Sequence, residues 1–343
     1  MRILSAFIVA IIICNGCRDI PSQKQIYQIN TSHVSIKIDT LELDIKGRIE
    51  SIVKYAGNYY FLSAKYNYRA NDEPYIVITD SNFNIIHQSI APEHFTHNVK
   101  LHVQNDSIIA INEFYKTMLL FNQNNFKWEL VKPFTFPIYE DKDYRVTTSV
   151  SGEFGGTVFF RDKATGLRYE GWTNYTTIVN KMNGKYYITY FMPHGNGASA
   201  VIEIPNPRKM LLSDTNRNEQ SYNMNETNSR QGMNTLFYWD NPVPVASFIH
   251  KNKLLHMCSY QNSTCFTEFR DNKLHKILAL GIHIYPELQQ QIANKYQLYR
   301  FFTVNSFELF GSDYEHNTTN TEEQYGFIEV VPNEIYIHFI KTN

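Results

Sequence analysis

Apolar and polar positions alternate along the chain in short runs closed by turn residues. From residue 52 to 89 it reads IVKYAGNYYFLSAKYNYRANDEPYIVITDSNFNIIHQS, four apolar stretches near 52–55, 59–64, 75–79 and 85–88. Gly57-Asn58 and Asp80-Ser81-Asn82 separate them, residue types that tolerate positive φ or bond their own backbone. The same order recurs at 99–131 and 245–280. It is less regular at 145–172, where only three strands are visible, at 177–204 and at 301–340. The second strands of the first two units begin at Tyr59 and Ser107, 48 residues apart (107 − 59), which is near the spacing of four-stranded propeller blades. A sheet with two apolar faces buries both by stacking against neighbours around an axis. The pattern therefore predicts an all-β fold, a six-bladed β-propeller of mostly four-stranded antiparallel blades. A pair of β-sandwiches would use the same strands and is the alternative.

Three stretches stand outside the repeats. Residues 34–43 (VSIKIDTLEL) alternate strictly and could pair with a later blade to close the ring. The segment 213–235 is polar throughout and reads as a mobile insertion loop. Leu288, Ile292, Tyr296 and Tyr299 follow Pro286 at spacings of four, four and three, so one short helix is expected near 286–299.

Before the repeats, Met1 and Arg2 precede the apolar run 3–13, of signal-peptide length and too short for a bilayer span of roughly 20 residues. It ends in Cys14-Asn15-Gly16-Cys17. Gly16-Cys17 resembles a bacterial lipoprotein signal, in which the cysteine is lipidated and becomes the new N-terminus. The organisation expected is a signal peptide at 1–16, a tether at 17–32 and a propeller domain at 33–343. The remaining pair, Cys258 and Cys265, flanks SYQNST between two strand-like runs and could face each other across a hairpin, bonded or as free thiols.

Composition narrows the function. Aromatic residues make up 15% of the chain, with 24 Tyr and 23 Phe, which favours strands. A formal net charge of −1 with no basic block argues against nucleic-acid binding. No nucleophile elbow, zinc helix or phosphate loop is present, and no cofactor or metal is expected.

Two regions hold candidate chemistry. Around the irregular third unit, Arg145, Glu153, Arg161, Arg168, Glu170, Trp172 and Tyr175 gather charge and aromatic rings. Arginine forks hold carboxylates, and flat aromatic faces stack on sugars. His194-Gly195-Asn196-Gly197 would let backbone approach a ligand, with His194 able to titrate near neutrality. Arg145, Glu153, Arg161, Trp172, Tyr175, His194 and Asn196 are the ligand-binding candidates. No catalytic residue is assigned, although Glu153 with Glu170, or His194 with Arg145, would be the pairs to test in a carbohydrate-active enzyme.

The lipoprotein-like Gly16-Cys17 and hairpins such as GNYYFL with VITDSNFNI give the chain a plan that resembles the six-bladed β-propeller lipoproteins of the Bacteroidota. The resemblance implies a lipid-anchored envelope protein, at the outer membrane or the periplasmic face. It would recognise a glycan, peptide or protein partner, or else serve as a scaffold in an envelope complex.

Overall fold

The computed structural model describes residues 27–30, 34–64, 73–92, 95, 99–104, 106–112, 117–150, 155–192, 198–213, 229–240, 243–260, 263–280, 284–286, 292–293, 298–304, 324–331 and 334–342. Two N-terminal strands, β1 (Tyr27–Asn30) and β2 (Ser35–Leu43), precede the blades. Blade 1 is β3 (Arg48–Tyr55), β4 (Asn58–Ala64), β5 (Tyr75–Thr79) and β6 (Ile85–Ile90). Blade 2 is β7 (Val99–Gln104), β8 (Ser107–Asn112), β9 (Thr117–Asn122) and β10 (Lys127–Val131). Blade 3 holds β11 (Tyr139–Glu140), β12 (Tyr144–Val150), β13 (Gly156–Asp162) and β14 (Arg168–Thr173). Blade 4 begins with β15 (Tyr175–Met182), β16 (Lys185–Met192) and β17 (Ala198–Ile204). The chain then makes a 3-10 turn at Pro207–Lys209 and adds β18 (Leu211–Leu212) to the outer edge of blade 3. It returns to blade 4 as β19 (Asn234–Asp240). Blade 5 is β20 (Val243–His250), β21 (Lys253–Tyr260), β22 (Ser263–Arg270) and β23 (Lys273–Ala279). Blade 6 holds β24 (Ile284–Pro286), β25 (Ile292–Ala293), β26 (Leu298–Val304), β27 (Gln324–Val330) and β28 (Ile335–Thr342).

The six sheets form a six-bladed β-propeller. Middle strands are buried on both faces because each blade is sandwiched by its neighbours. The run Tyr59–Ser63 of β4 is buried throughout, and so is Ile108–Asn112 of β8. This is why these strands read as continuous apolar stretches, whereas β6 and β10 at the rim are largely exposed.

The ring closes as the alternating stretch 34–43 suggested. Strand β2 pairs in parallel with β28, Ile36 opposite Ile335 and Leu43 opposite Thr342. The sixth sheet therefore contains both early and late parts of the chain. A buried charge network sits at this seam. Lys54 Nζ lies 2.7 Å from Glu329 Oε1, Tyr59 donates to Glu329 Oε2 at 2.7 Å, and His338 Nδ1 meets Asp39 Oδ1 at 2.6 Å.

Two expectations need correction. The stretch 286–299 is not helical where it is described: Ile292 and Ala293 are strand, opposite Tyr299 and Leu298 of β26. Helical spacing of four apolar residues was outweighed by the free edge of β26, which a strand satisfies with backbone hydrogen bonds. The insertion is not loop throughout either. Ser213 and residues 229–233 dock on blade 3, Asn234 already opens β19, and residues 214–228 lie outside the described set.

Candidate functional site

The two ends of the ring are built differently. At one end neighbouring strands are joined by tight turns whose left-handed residues are Ala56-Gly57, Asn183-Gly184, Lys251-Asn252 and Asp271-Asn272. Cross-blade contacts tie these turns together: the Tyr55 hydroxyl donates to the Asp106 carbonyl at 2.6 Å, and Lys181 pairs with Asp141 at 2.6 Å and Asp143 at 3.1 Å. At the other end the links Asp240–Val243 and Tyr260–Ser263 are short, but several strands are joined by longer connections, those between Ala64 and Tyr75, Val150 and Gly156, Met192 and Ala198, and Val304 and Gln324; the long connection from Ile204 to Asn234 leaves from the turn end. Long connections on a rigid frame are where binding residues are carried.

Blade 3 presents an unusual face. Its β12, β13 and β14 place Val146, Val158, Phe160 and Tyr169 in the apolar seam with blade 4. The opposite face, turned toward blade 2, aligns Arg145, Arg161 and Arg168 as successive cross-strand neighbours. The Arg145 guanidinium donates to the Thr135 carbonyl in the connection from blade 2. Arg168 is buried, lies 4.9 Å from the Phe159 ring and donates to Ser213 Oγ at 3.0 Å. Ser213 in turn donates to buried Glu170 at 2.5 Å. Glu170 and Arg168 are thus spent on docking the start of the insertion.

The far end of β14 differs. Trp172 donates its backbone N–H to the Ser229 carbonyl at 2.9 Å, which fastens the return of the insertion there. The Arg230 guanidinium stacks over the Trp172 ring at 4.5 Å and also donates to Thr235 Oγ1 at 2.8 Å and to the Tyr190 hydroxyl at 3.4 Å. Burial pushes the Tyr190 phenol up, with the Arg230 charge opposing. Gly155 lies against the indole: a Cβ there would sit 2.7 Å from Trp172 Nε1, and its φ of +125° suits glycine. Trp172 is half-buried, with the Arg230 cation over its ring.

The candidate residues therefore divide. Arg145, Arg161 and Arg168 sit toward the turn end and Trp172 toward the loop end, four residues or about 13 Å along the strand from Arg168. Tyr175 opens β15 at the loop end, and its side chain is outside the described set. Glu153, His194, Asn196 and Cys17 also lie outside the described residues; the connections carrying Glu153, His194 and Asn196 leave from the loop end. His194 and Arg145 accordingly belong to opposite ends, and Glu170 is engaged by Ser213. Cys258 and Cys265 are opposite one another across β21 and β22, as expected for the hairpin, and both are free thiols. Sequence reasoning missed Arg230, which lies inside the polar insertion and is identified only by the ring beneath it. Among the described residues no three His, Cys, Asp or Glu side chains come together to hold a metal.

No family model matches the chain. No curated protein matches it. Among solved structures, similar ones include U3-55K (8% identity, TM-score 0.46, 84% of this chain and 97% of that one). The WD40 repeats of RRP9 are another (7%, 0.39, 75% and 88%). A third is the hydrazine synthase of Kuenenia stuttgartiensis (8%, 0.39, 76% and 78%).

Proposed function

We propose that the protein is a binding module of the cell envelope, anchored through a lipid on Cys17, that recognises a glycan, peptide or protein partner with the loop-bearing end of blades 3 and 4. The observation that carries this reading is the half-buried Trp172 ring with the Arg230 guanidinium over it, beside the connections Val150–Gly156 and Met192–Ala198 of blades 3 and 4. A half-buried aromatic ring beside a cation suits the edge of a sugar ring or an acidic peptide. The lipoprotein-like Gly16-Cys17 and the resemblance in plan to Bacteroidota propeller lipoproteins support the anchored part.

The binding half is tested with the purified full chain on a glycan array and in pull-downs from envelope extract, beside Arg230→Ala. A specific partner whose capture changes at least about tenfold in the variant, the equivalent of one cation–π contact, supports the site. No partner in either assay, or a partner indifferent to the change, defeats it. The anchor is tested separately by metabolic labelling with palmitate, which should vanish in Cys17→Ser.

A further inference from the structure

Strands β21 and β22 pair without interruption from Leu254 opposite Phe269 to Tyr260 opposite Ser263. The irregularities of blade 5 lie in its other two ladders, between Pro244 and Ala246 and between Phe266 and Thr267. Cys258 and Cys265 therefore face each other directly, and directly opposed residues project from the same face of a sheet. Opposed Cα atoms of an antiparallel pair lie about 4.5 or about 5.5 Å apart, according to their place in the ladder. Both values fall inside the span of about 4.4–6.8 Å that a disulfide bridges. The structure holds the reduced pair.

The two thiols have unequal surroundings. Cys258 is buried and packs with Tyr187 and Val201 at the seam with blade 4, whereas Cys265 is half-buried. Beside Cys265, the Thr264 carbonyl accepts from the Leu280 N–H at 2.8 Å and the Thr264 hydroxyl from the Ile284 N–H at 2.9 Å. This corner of the hairpin thus holds the passage of the chain from blade 5 into blade 6.

We propose that Cys258 and Cys265 close a disulfide across β21 and β22 when the chain folds with an organic disulfide such as oxidised glutathione, and that blade 4 packed over Cys258 then shields the bond. The cysteines are seven positions apart (265 − 258), so they meet within the hairpin at little cost in loop closure. The Cys265 thiolate attacks one sulfur of the oxidant and expels the first glutathione thiolate. The Cys258 thiolate attacks Cys265 Sγ in the mixed disulfide and expels the second. Two protein thiols are oxidised, one glutathione disulfide is reduced, and the two protons end on the two glutathiones. Reversal is slow in the finished ring. A reducing thiol reaches Cys265 Sγ first and must expel Cys258, whose thiol burial pushes up to about 12, a poor leaving group. The bond is therefore a lasting brace on Thr264 and the entry to blade 6.

The test refolds the reduced full chain from urea with reduced and oxidised glutathione, then blocks remaining thiols with N-ethylmaleimide under denaturing conditions. Trypsin leaves both cysteines in one peptide, Leu254–Arg270, so Cys14 and Cys17 do not enter the reading. That peptide should take up no reagent before reduction and react at both cysteines after it. A chain kept under reductant should react at both throughout. Cys258→Ser removes the resolving thiol and should hold at least about tenfold more glutathione on Cys265 than wild type. In reduced glutathione the bond should survive at least about tenfold longer in the refolded chain than in urea. Circular dichroism confirms that each refolded sample is folded. The proposal is overturned if the wild-type peptide reacts at both cysteines before reduction, or if wild type keeps as much glutathione on Cys265 as the variant. It is equally overturned if the bond joins two chains, or if the folded bond is reduced as fast as the unfolded one. None of these readings involves Cys17, so failure here leaves the anchored binding module standing.

Discussion

Replacing Glu329 by glutamine tests whether the seam network closes the ring. Burial alone would raise the Glu329 carboxyl, but His338, Lys54 and Tyr59 outweigh it and hold it at about 2. A drop from 4.5 to about 2, at about 1.4 kcal/mol per pH unit, corresponds to roughly 3 kcal/mol. The side chain is only 5% exposed, so solvent screening takes little from this figure. Because the folded value lies below the unfolded one, the contribution is present above about pH 4.5 and disappears as pH falls through about 2. Glutamine also leaves the Lys54 cation without its carboxylate, which costs about 3–5 kcal/mol in comparable buried pairs. Urea unfolding of both proteins, followed by circular dichroism, should show a gap of about 3 kcal/mol near pH 7 that shrinks below about 1 kcal/mol near pH 2.5. Equal stability near pH 7, or an equal gap at both pH values, refutes the reasoning. His338 works in the opposite sense: Asp39 and Glu329 overcome its desolvation and raise its imidazolium, so its contribution is complete below about pH 6.5 and lost as pH rises through the folded value.

Gly232 has φ +72° and a Cβ there would meet the Lys209 carbonyl carbon and oxygen at 2.7 Å. Gly232→Ala should therefore cost about 1–3 kcal/mol and speed proteolysis within 214–228; an unchanged cleavage rate counts against docking of the insertion. His256, buried between blades 4 and 5 with Nε2 3.1 Å from Thr189 Oγ1, is held at about 3 by desolvation. Its ring resonances should stay constant from about pH 5 to 8, and a midpoint near 6.5 would contradict its burial. Burial, with Cys265 beside it, pushes the Cys258 thiol up to about 12. A thiol reagent near pH 8 should label half-buried Cys265 and reach Cys258 only on unfolding; early labelling of Cys258 would overturn that order.

Alternation and turn residues carry most of the blade plan because they are local. Gly57-Asn58 and Asp271-Asn272 occupy the left-handed positions their chemistry suits, and the closing strand shows as VSIKIDTLEL. Blade 3 was harder to read because its inner strand β11 has two residues and its outermost, β18, is donated from about forty residues further on. Neither leaves a periodic signature. The helix at 286–299 failed because apolar positions four apart also suit a strand offered an open edge. For the site, the cluster around blade 3 was legible as composition but not as geometry. Opposed strand positions align the three arginines, and four residues of strand then separate them from Trp172. Arg230 could not be assigned without knowing where the insertion lands.

The parallel pairing of β2 with β28 has a consequence for the order of folding. Asp39 finds His338 across 299 positions of chain, so blades 1 to 5 can assemble while β2 still lacks its neighbour. Until Ile335–Thr342 emerges, β2 has only the short β1 beside it, and Leu41 has no strand partner. Such a long-range contact carries a large loop-closure entropy, which the earlier blades do not share.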